Sequence, residues 1–125
     1  MTDARRRTGQ IAEELVAGRL RAAGWEILDR NSRTRHGELD IVALDGRALV
    51  FIEVKAGREN NAFGPERPVL AVTRRKQLQV RRLSAAWMAS QPNLPFFNEI
   101  RFDAVGVTFD RQGRTTDIEH IPGAF

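Results

Sequence analysis

The chain of 125 residues contains no cysteine, and no apolar run in it approaches membrane-spanning length. Without cysteine there are no disulfides, thiolate nucleophiles or thiolate metal sites, which fits a reducing compartment. The basic N-terminal residues are not followed by the apolar segment of a signal peptide. We therefore expect a cytoplasmic protein that does not enter membranes. We expect one domain over residues 1–125, with residues 1–6 as a flexible basic arm.

Lysine is also scarce, because Lys55 and Lys76 are the only lysines among 20 basic residues. Lysine is a compact charge whose pKa responds to burial, whereas arginine stays protonated and presents a rigid fork. Lysine at position 55, after an acidic segment, suits chemistry that orients or deprotonates a water. Two lysines can also fall anywhere in a chain of this length. The net charge of +4 permits an anionic partner without requiring one.

Two β-branched apolar runs, 41–44 and 48–52, flank the pair Asp45-Gly46. Asp and Gly tolerate the positive φ of tight hairpin turns, so this pattern predicts a β-hairpin. The stretch between its charged ends is apolar on both faces, as in the centre of a covered sheet.

Charged residues at the ends of this hairpin form a predicted site. If Leu44 pairs with Arg47, Glu38 lies opposite Glu53, and Asp40 is a diagonal neighbour of Glu53. Alternation then places four charged side chains on one side of the hairpin: Glu38, Asp40, Glu53 and Lys55. A solvated ladder of ion pairs is one interpretation. Facing carboxylates repel unless a cation lies between them, so the pattern favours a cation site.

The remaining helices and strands are predicted from glycine and proline positions, helix-capping residues and apolar periodicity. In order they are a helix over residues 5–23 ended by Gly24, a strand at 25–31, a polar loop at 32–36, the central hairpin, a loop at 57–68, a helix from the capping Thr73 to Ser90, and a hairpin of strands 99–110 and 115–121. The order αβββαββ predicts an α/β sandwich with a mixed β-sheet and flanking helices. Within the last hairpin, Arg101 and Asp103 favour an ion pair that closes the sheet, with nucleic-acid contact as the alternative.

Helical periodicity separates two adjacent glutamates. Glu13 shares a face with Val16 and Leu20, whereas Glu14 lies on the polar side. An acid at the edge of a buried stripe is a candidate member of the site. The alternative is a surface glutamate in an ion pair.

The second helix carries Lys76 at the head of an apolar stripe that must face the sheet. That lysine can approach the carboxylates or a phosphate, or extend to solvent. Separated basic groups able to contact a phosphate backbone give the predicted nucleic-acid-binding set: Arg33, Arg35, Arg74, Arg75, Lys76, Arg81 and Arg82. The alternative for the arginines is an ordinary solvated face.

Asp40, followed by Glu53-x-Lys55 on the next strand, resembles the D…(D/E)-x-K core of the restriction-endonuclease-like superfamily. A longer ordered set of motifs is similar to the YraN family, small bacterial proteins of uncharacterised function related to archaeal Holliday-junction resolvases. The set runs Gly9-x-x-x-Glu13, Leu20, Gly24, Asn31-x-Arg33, Gly37-Glu38-Leu39-Asp40, Phe51-Ile52-Glu53-Val54-Lys55, Phe63-Gly64, Lys76 and Arg101-Phe102-Asp103. The resemblance covers nearly the whole chain and implies a restriction-endonuclease-like sandwich.

Carboxylates without cysteine or paired histidine suit a hard cation, Mg²⁺ or Mn²⁺. The resemblance implies Asp40, Glu53 and the Val54 carbonyl as ligands. Glu13 would act through water or on a second ion, and Lys55 would orient the attacking water. The expected activity is metal-dependent phosphodiester hydrolysis of DNA, including branched or processed structures.

The sequence leaves several points open. Glu38 matches the YraN pattern and is an extra ligand or a base. A nucleic-acid-binding module that cuts poorly, or awaits a partner protein, is the alternative function. A structural or oligomerisation domain, including a homodimer, is the third class, because both catalytic and silent forms of this fold exist.

Overall fold

A computed structural model describes residues 3–59 and 67–125. Those residues form α1 (Asp3–Ala22), β1 (Glu26–Thr34), β2 (Gly37–Asp45), β3 (Ala48–Arg58), a short 3₁₀ helix (Pro68–Ala71), α2 (Arg74–Ser90), β4 (Glu99–Phe109) and β5 (Thr115–Ile121). The order αβββαββ is as predicted, and Thr73 caps α2 by accepting a hydrogen bond from the Lys76 amide. No helix within the described ranges combines the length and apolar character needed to cross a membrane.

The five strands form one mixed sheet in the order β1-β2-β3-β4-β5. Neighbouring strands are antiparallel except β3 and β4, which run parallel along their whole length. A parallel pair requires a crossover connection, and α2 lies in that connection. The fold is therefore α/β with a mixed sheet and flanking helices, as the sequence predicts.

Apolar side chains pack on both faces of the sheet. In the central hairpin, Ile41 and Ala43 face α1, whereas Val42 and Leu44 face α2. Successive strand residues point to opposite faces, so a strand covered on both sides must be apolar throughout. The α1 side buries Ala12, Val16, Ala17 and Leu20, and the α2 side buries Val80, Leu83 and Trp87.

The predicted register of the central hairpin is wrong. Asp45, rather than Leu44, closes β2 by pairing with Ala48, and Gly46-Arg47 forms the two-residue turn. Gly46 has φ 61°, and Arg47 is not among the residues with positive φ. A positive φ at the first turn position alone matches a type II′ turn, which favours glycine there.

This register changes which acidic residues meet. The observed β2–β3 pairs end at Ile41 and Ile52, so neither Glu38 nor Asp40 pairs with Glu53 across the two strands. The facing pair expected between Glu38 and Glu53 is therefore wrong, and Asp40 is the acid of β2 whose charge acts on Glu53.

Some boundaries also differ from the predictions. Strand β1 continues through residues 32–34, expected in a loop, because Thr34 still pairs with Gly37. Strand β3 continues to Arg58 because β4 accompanies it. Helix α1 begins at Asp3, so residues 3–6, expected in a flexible arm, are helical. The Phe63-Gly64 motif and residues 60–66 of the predicted loop lie outside the described residues.

A buried ion cluster joins β4 to the C-terminal segment. Asp103 is fully buried and accepts hydrogen bonds from the Arg101 side chain at 2.9 and 3.0 Å. Its carboxylate also contacts His120 Nε2 at 2.8 Å and accepts from the Gly123 amide at 2.9 Å. The expected Arg101–Asp103 pair is confirmed. Burial opposes ionisation of Asp103, but these hydrogen bonds outweigh it and hold its pKa below the ordinary value of 3.8.

Asp103→Asn should therefore lower the free energy of unfolding at pH 7 by about 3 kcal/mol, because Arg101 loses its buried partner. A carboxyl whose pKa is lower in the folded state stabilises the protein above its unfolded pKa, and this contribution is lost as pH falls through the folded pKa. The difference between wild type and variant in urea unfolding should thus shrink as pH drops below about 4. A difference that is the same at low and neutral pH would contradict this account of Asp103.

Candidate functional site

The candidate site lies where β2 and β3 part. Beyond the last paired residues of the hairpin, Asp40 Oδ2 accepts a hydrogen bond from the Val54 amide at 2.9 Å. The carboxyl groups of Asp40 and Glu53 also lie close enough for each to shift the pKa of the other. Beyond the last backbone pair of β2 and β3, a side-chain hydrogen bond therefore connects the two strands. Asp40, which accepts it, lies at the centre of the site.

Helix α1 adds a third acid, Glu13. Its side chain is buried, and carboxylate oxygens of Glu13, Glu38 and Asp40 lie within 4.8 Å of one another. Glu13 Oε1 is buried and has no hydrogen-bond partner among the described residues. The guanidinium of Arg30 stands 3.9 Å from it, which is ion-pair distance but too long for a hydrogen bond. Glu14, one residue on, is exposed and binds Arg30 at 2.9 Å, so the predicted split between Glu13 and Glu14 is confirmed.

Burial disfavours the simultaneous ionisation of these carboxyl groups. It raises the pKa of Glu13 to about 7, with the charge of Asp40 adding to the effect. Burial and the same neighbour raise the pKa of Glu53 above its ordinary range. Burial also raises the pKa of Asp40, although the hydrogen bond from Val54 acts in the opposite direction. A positive charge at the centre of the group would stabilise all of them in the ionised form.

Both lysines of the chain converge on one of these acids. Lys55 Nζ lies 3.8 Å and Lys76 Nζ lies 3.6 Å from Oε1 of Glu53. Lys76 comes from α2, so the inward direction predicted for it from the apolar stripe is confirmed. The scarcity of lysine in the sequence drew attention to Lys55 and Lys76. It did not predict that both would approach Glu53.

The acidic residues do not lie on a single face, contrary to the prediction for the hairpin. Glu38 and Asp40 approach Glu13 of α1, whereas Glu53 is approached by Lys76 of α2. Asp40 interacts with both groups, because its charge also acts on Glu53. The side chains of the site therefore come from both faces of the sheet.

Two residues that support the acids of the site, Arg30 and Asn31, were not predicted as site residues from the sequence. Asn31 has φ 53°, the one positive value among the described residues other than glycine, and its side chain interacts with Glu13. Asparagine tolerates this left-handed conformation better than most residues do. Arg30 contacts both Glu13 and Glu14. Asn31 belongs to the YraN-like motif, which was the available signal, but nothing local in the sequence connects it to Glu13.

The predicted nucleic-acid-binding residues separate into three groups. One group lines a cavity beside α2 together with Lys55: Arg74, Arg75, Lys76 and Arg82. Arg81 instead stacks over the ring of Phe102, with its guanidinium carbon 4.5 Å from the ring centroid. Near the β1–β2 turn, Arg33 pairs with Glu38 at 2.9 Å and Arg35 contacts His36.

Comparison with known proteins places this site in a family. The model of "Uncharacterised protein family UPF0102" matches residues 12–107. The chain belongs to the UPF0102 family. A UPF0102 protein of Moorella thermoacetica is 45% identical over 125 residues, covering 100% of both chains. One of Geobacter metallireducens is 44% identical over 117 residues, which are 94% of this chain and 90% of the relative.

UPF0102 is the YraN family that the sequence motifs resemble, so that resemblance is confirmed. The matched range spans all the acids and both lysines of the site, which lie between Glu13 and Lys76. Neither the family description nor the names of these relatives state an activity.

Removing the charge of Asp40 should not weaken the metal-free protein. Because burial raises the pKa of Asp40, its ionised form costs stability at pH 7, and an asparagine carbonyl can still accept from the Val54 amide. We expect the melting temperature of Asp40→Asn, measured in EDTA, to be unchanged or a few degrees higher. Asp103→Asn is the matched control and should melt lower. A drop of several degrees for Asp40→Asn would instead make Asp40 a structural ion-pair member.

Proposed function

We propose that this UPF0102 protein is a divalent-cation-dependent phosphodiesterase that acts on nucleic acid, with DNA as the expected substrate. The observation that carries the proposal is the group of three carboxylates, Glu13, Glu38 and Asp40, with oxygens within 4.8 Å of one another. A buried Glu13 oxygen without a hydrogen-bond partner among the described residues points to a missing positive ligand.

The donor set fits Mg²⁺ or Mn²⁺. The nearby ligands are carboxylate oxygens, and the chain has no cysteine to favour a softer metal. Glu13, Glu38 and Asp40 would hold the ion, with Glu53 and the Val54 carbonyl as the further ligands that the resemblance implies. When bound, such an ion polarises a phosphoryl oxygen and lowers the pKa of a water.

The side chains around these acids have distinct tasks. The Val54 amide fixes Asp40, Asn31 fixes Glu13, and Arg33 fixes Glu38. Fixed carboxylates need little reorganisation when a substrate binds. Lys55, whose side chain is 33% exposed, keeps Glu53 in place and retains access to solvent. It is the group we assign to orienting the attacking water against the phosphorus.

Lys76 has a different place. It approaches Glu53 from α2 and also lines the cavity on that side of the sheet. Its ammonium can therefore contact both the carboxylate and an incoming phosphate. Lysine binds phosphate as a point charge, so this contact does not require a particular base. We assign Lys76 to holding the substrate phosphate beside Glu53.

The direct test is cleavage of a panel of labelled linear, flap and four-way-junction DNAs and single-stranded RNA, with Mn²⁺, Mg²⁺ or EDTA. We expect cleavage of at least one DNA with Mn²⁺ and none in EDTA. Asp40→Asn should be slower by about 10²-fold or more, since a ligand and organiser of the reacting groups is lost. Asp117→Asn, which changes an exposed carboxylate on β5, is the matched control and should cleave like wild type.

An absence of cleavage with every substrate and ion would contradict the proposal. If DNA were still bound, the result would support a binding module that does not cut. Two contacts favour that second candidate, because both lysines already pair with Glu53 and partly neutralise the site.

Lys55→Arg separates positioning of water from simple charge balance. Arginine keeps the positive charge but has a wide planar head and does not readily release a proton. If Lys55 orients the attacking water, the variant should lower turnover by about 10²-fold while the affinity for Mn²⁺ changes only a few-fold. Single-turnover cleavage and Mn²⁺ titration measure the two effects. Full activity in Lys55→Arg would refute this role and leave the cation site standing.

A further inference from the structure

A groove runs between α2 and the β1–β2 turn, and we call it the α2 groove. Its volume is about 980 Å³. The residues that line it and matter here are Thr34 and His36 on one wall, Arg74, Arg75 and Arg82 on the other, and Lys55 and Lys76 toward the carboxylates.

The charged side chains that line the α2 groove in the described part of the chain have one sign. All five are lysine or arginine, and none is aspartate or glutamate. Arg74, Arg75 and Arg82 are exposed and form no ion pair with any carboxylate in the described part of the chain. A concave surface of one sign concentrates the opposite charge, so the groove attracts a polyanion.

The two walls are held together without a ligand. Gln79 Nε2 of α2 donates a hydrogen bond to the His36 carbonyl at 2.7 Å. Gly37 follows with φ 142°, and a Cβ there would lie 2.5 Å from the same Gln79 nitrogen. The turn can approach α2 this closely because residue 37 has no side chain. The groove is therefore a preformed feature of the fold.

The lining chemistry points to phosphates rather than bases. Among residues 3–59 and 67–125, no phenylalanine, tyrosine or tryptophan lines the α2 groove, so these residues supply no platform on which bases stack. Phosphate contacts from lysine and arginine carry no sequence information. A ligand held in this way is bound through its backbone, with little preference for its sequence.

The size of the groove suits a single strand. It is an open concave surface of about 980 Å³. The major groove of a DNA duplex alone is about 12 Å wide, so one backbone with its phosphates fits this surface better than a whole duplex does. A flanking duplex would remain outside.

We propose that the α2 groove binds one strand of nucleic acid through its phosphates and leads that strand to Asp40 and Glu53. This proposal rests on the proposed function and assigns its substrate class: nucleic acid with a single-stranded segment. The connection is made by Lys55 and Lys76, which line the groove and lie within 3.8 and 3.6 Å of Glu53. A phosphate held by these lysines is beside the carboxylates.

The test is binding, measured in EDTA so that no metal-dependent step contributes. Fluorescence anisotropy would follow two labelled single-stranded DNAs of unrelated sequence and one blunt duplex across a range of salt concentrations. The test protein is Arg74→Ala/Arg82→Ala. The matched control, Arg19→Ala/Arg111→Ala, removes the same charge from exposed positions outside the groove.

We expect wild type to bind both single strands with similar affinity and the duplex at least tenfold more weakly. The groove variant should lose at least tenfold in single-strand affinity, and its log–log salt slope should fall by about 1.4, the value for two lost contacts at 0.7 each. The control should stay within about twofold of wild type. Melting curves for both variants check that the fold is retained.

Equal losses in the two variants would overturn the proposal, as would an unchanged salt slope or duplex binding as tight as that of the single strands. Competition by poly-glutamate as effective as that by unlabelled DNA would assign the groove to an acidic protein instead. The proposed function is tested separately, by cleavage in the presence of a divalent cation. That cleavage can be present or absent regardless of the result of the binding experiment in EDTA.

Discussion

The carboxyl groups of the half-buried Asp40 and the buried Glu53 lie close together, and their repulsion constrains the rest of the site. Glu53 is 3% exposed, and burial raises the pKa of both groups. Two kinds of contact offset the free-energy cost of ionising these groups. The Val54 amide donates a hydrogen bond to Asp40, and both lysines of the chain lie near Glu53. Glu13 and Glu38 add further negative charge to Asp40, and a divalent cation is the compensation that fits their oxygens.

The topology of the sheet brings the remaining parts together. Because β3 and β4 are parallel, the chain must cross over between them, and α2 in that crossover carries Lys76 to Glu53. The same helix supplies the arginine wall of the α2 groove. Helix α1 covers the opposite face and delivers Glu13. The end of the β2–β3 pairing, reached from both faces of the sheet, thus receives one acid, Glu13, from α1 and one base, Lys76, from α2.

The sequence predicted what depends on local patterns. Apolar periodicity separated Glu13 from Glu14, and the Thr73 cap and the αβββαββ order were correct. The hairpin register was not, because Asp45-Gly46 and Gly46-Arg47 are both acceptable turns and only the packing of the strands decides between them. Strand β1 extends through polar residues 32–34 because an edge strand needs a partner on only one side. The contact between Asn31 and Glu13 depends on a positive φ that no local pattern specifies.

Binding of a divalent cation among the acids that converge on Asp40 is the central requirement of the proposed site. Calorimetric titration of Mn²⁺ into wild type, Glu13→Gln and Glu14→Gln tests this with two variants that differ by one position along α1. We expect wild type and Glu14→Gln to bind Mn²⁺ alike, because Glu14 lies on the exposed side of the helix. Glu13→Gln should bind at least tenfold more weakly, since it removes a buried carboxylate of the group. No binding by wild type, or equal affinities in the two variants, would contradict the account.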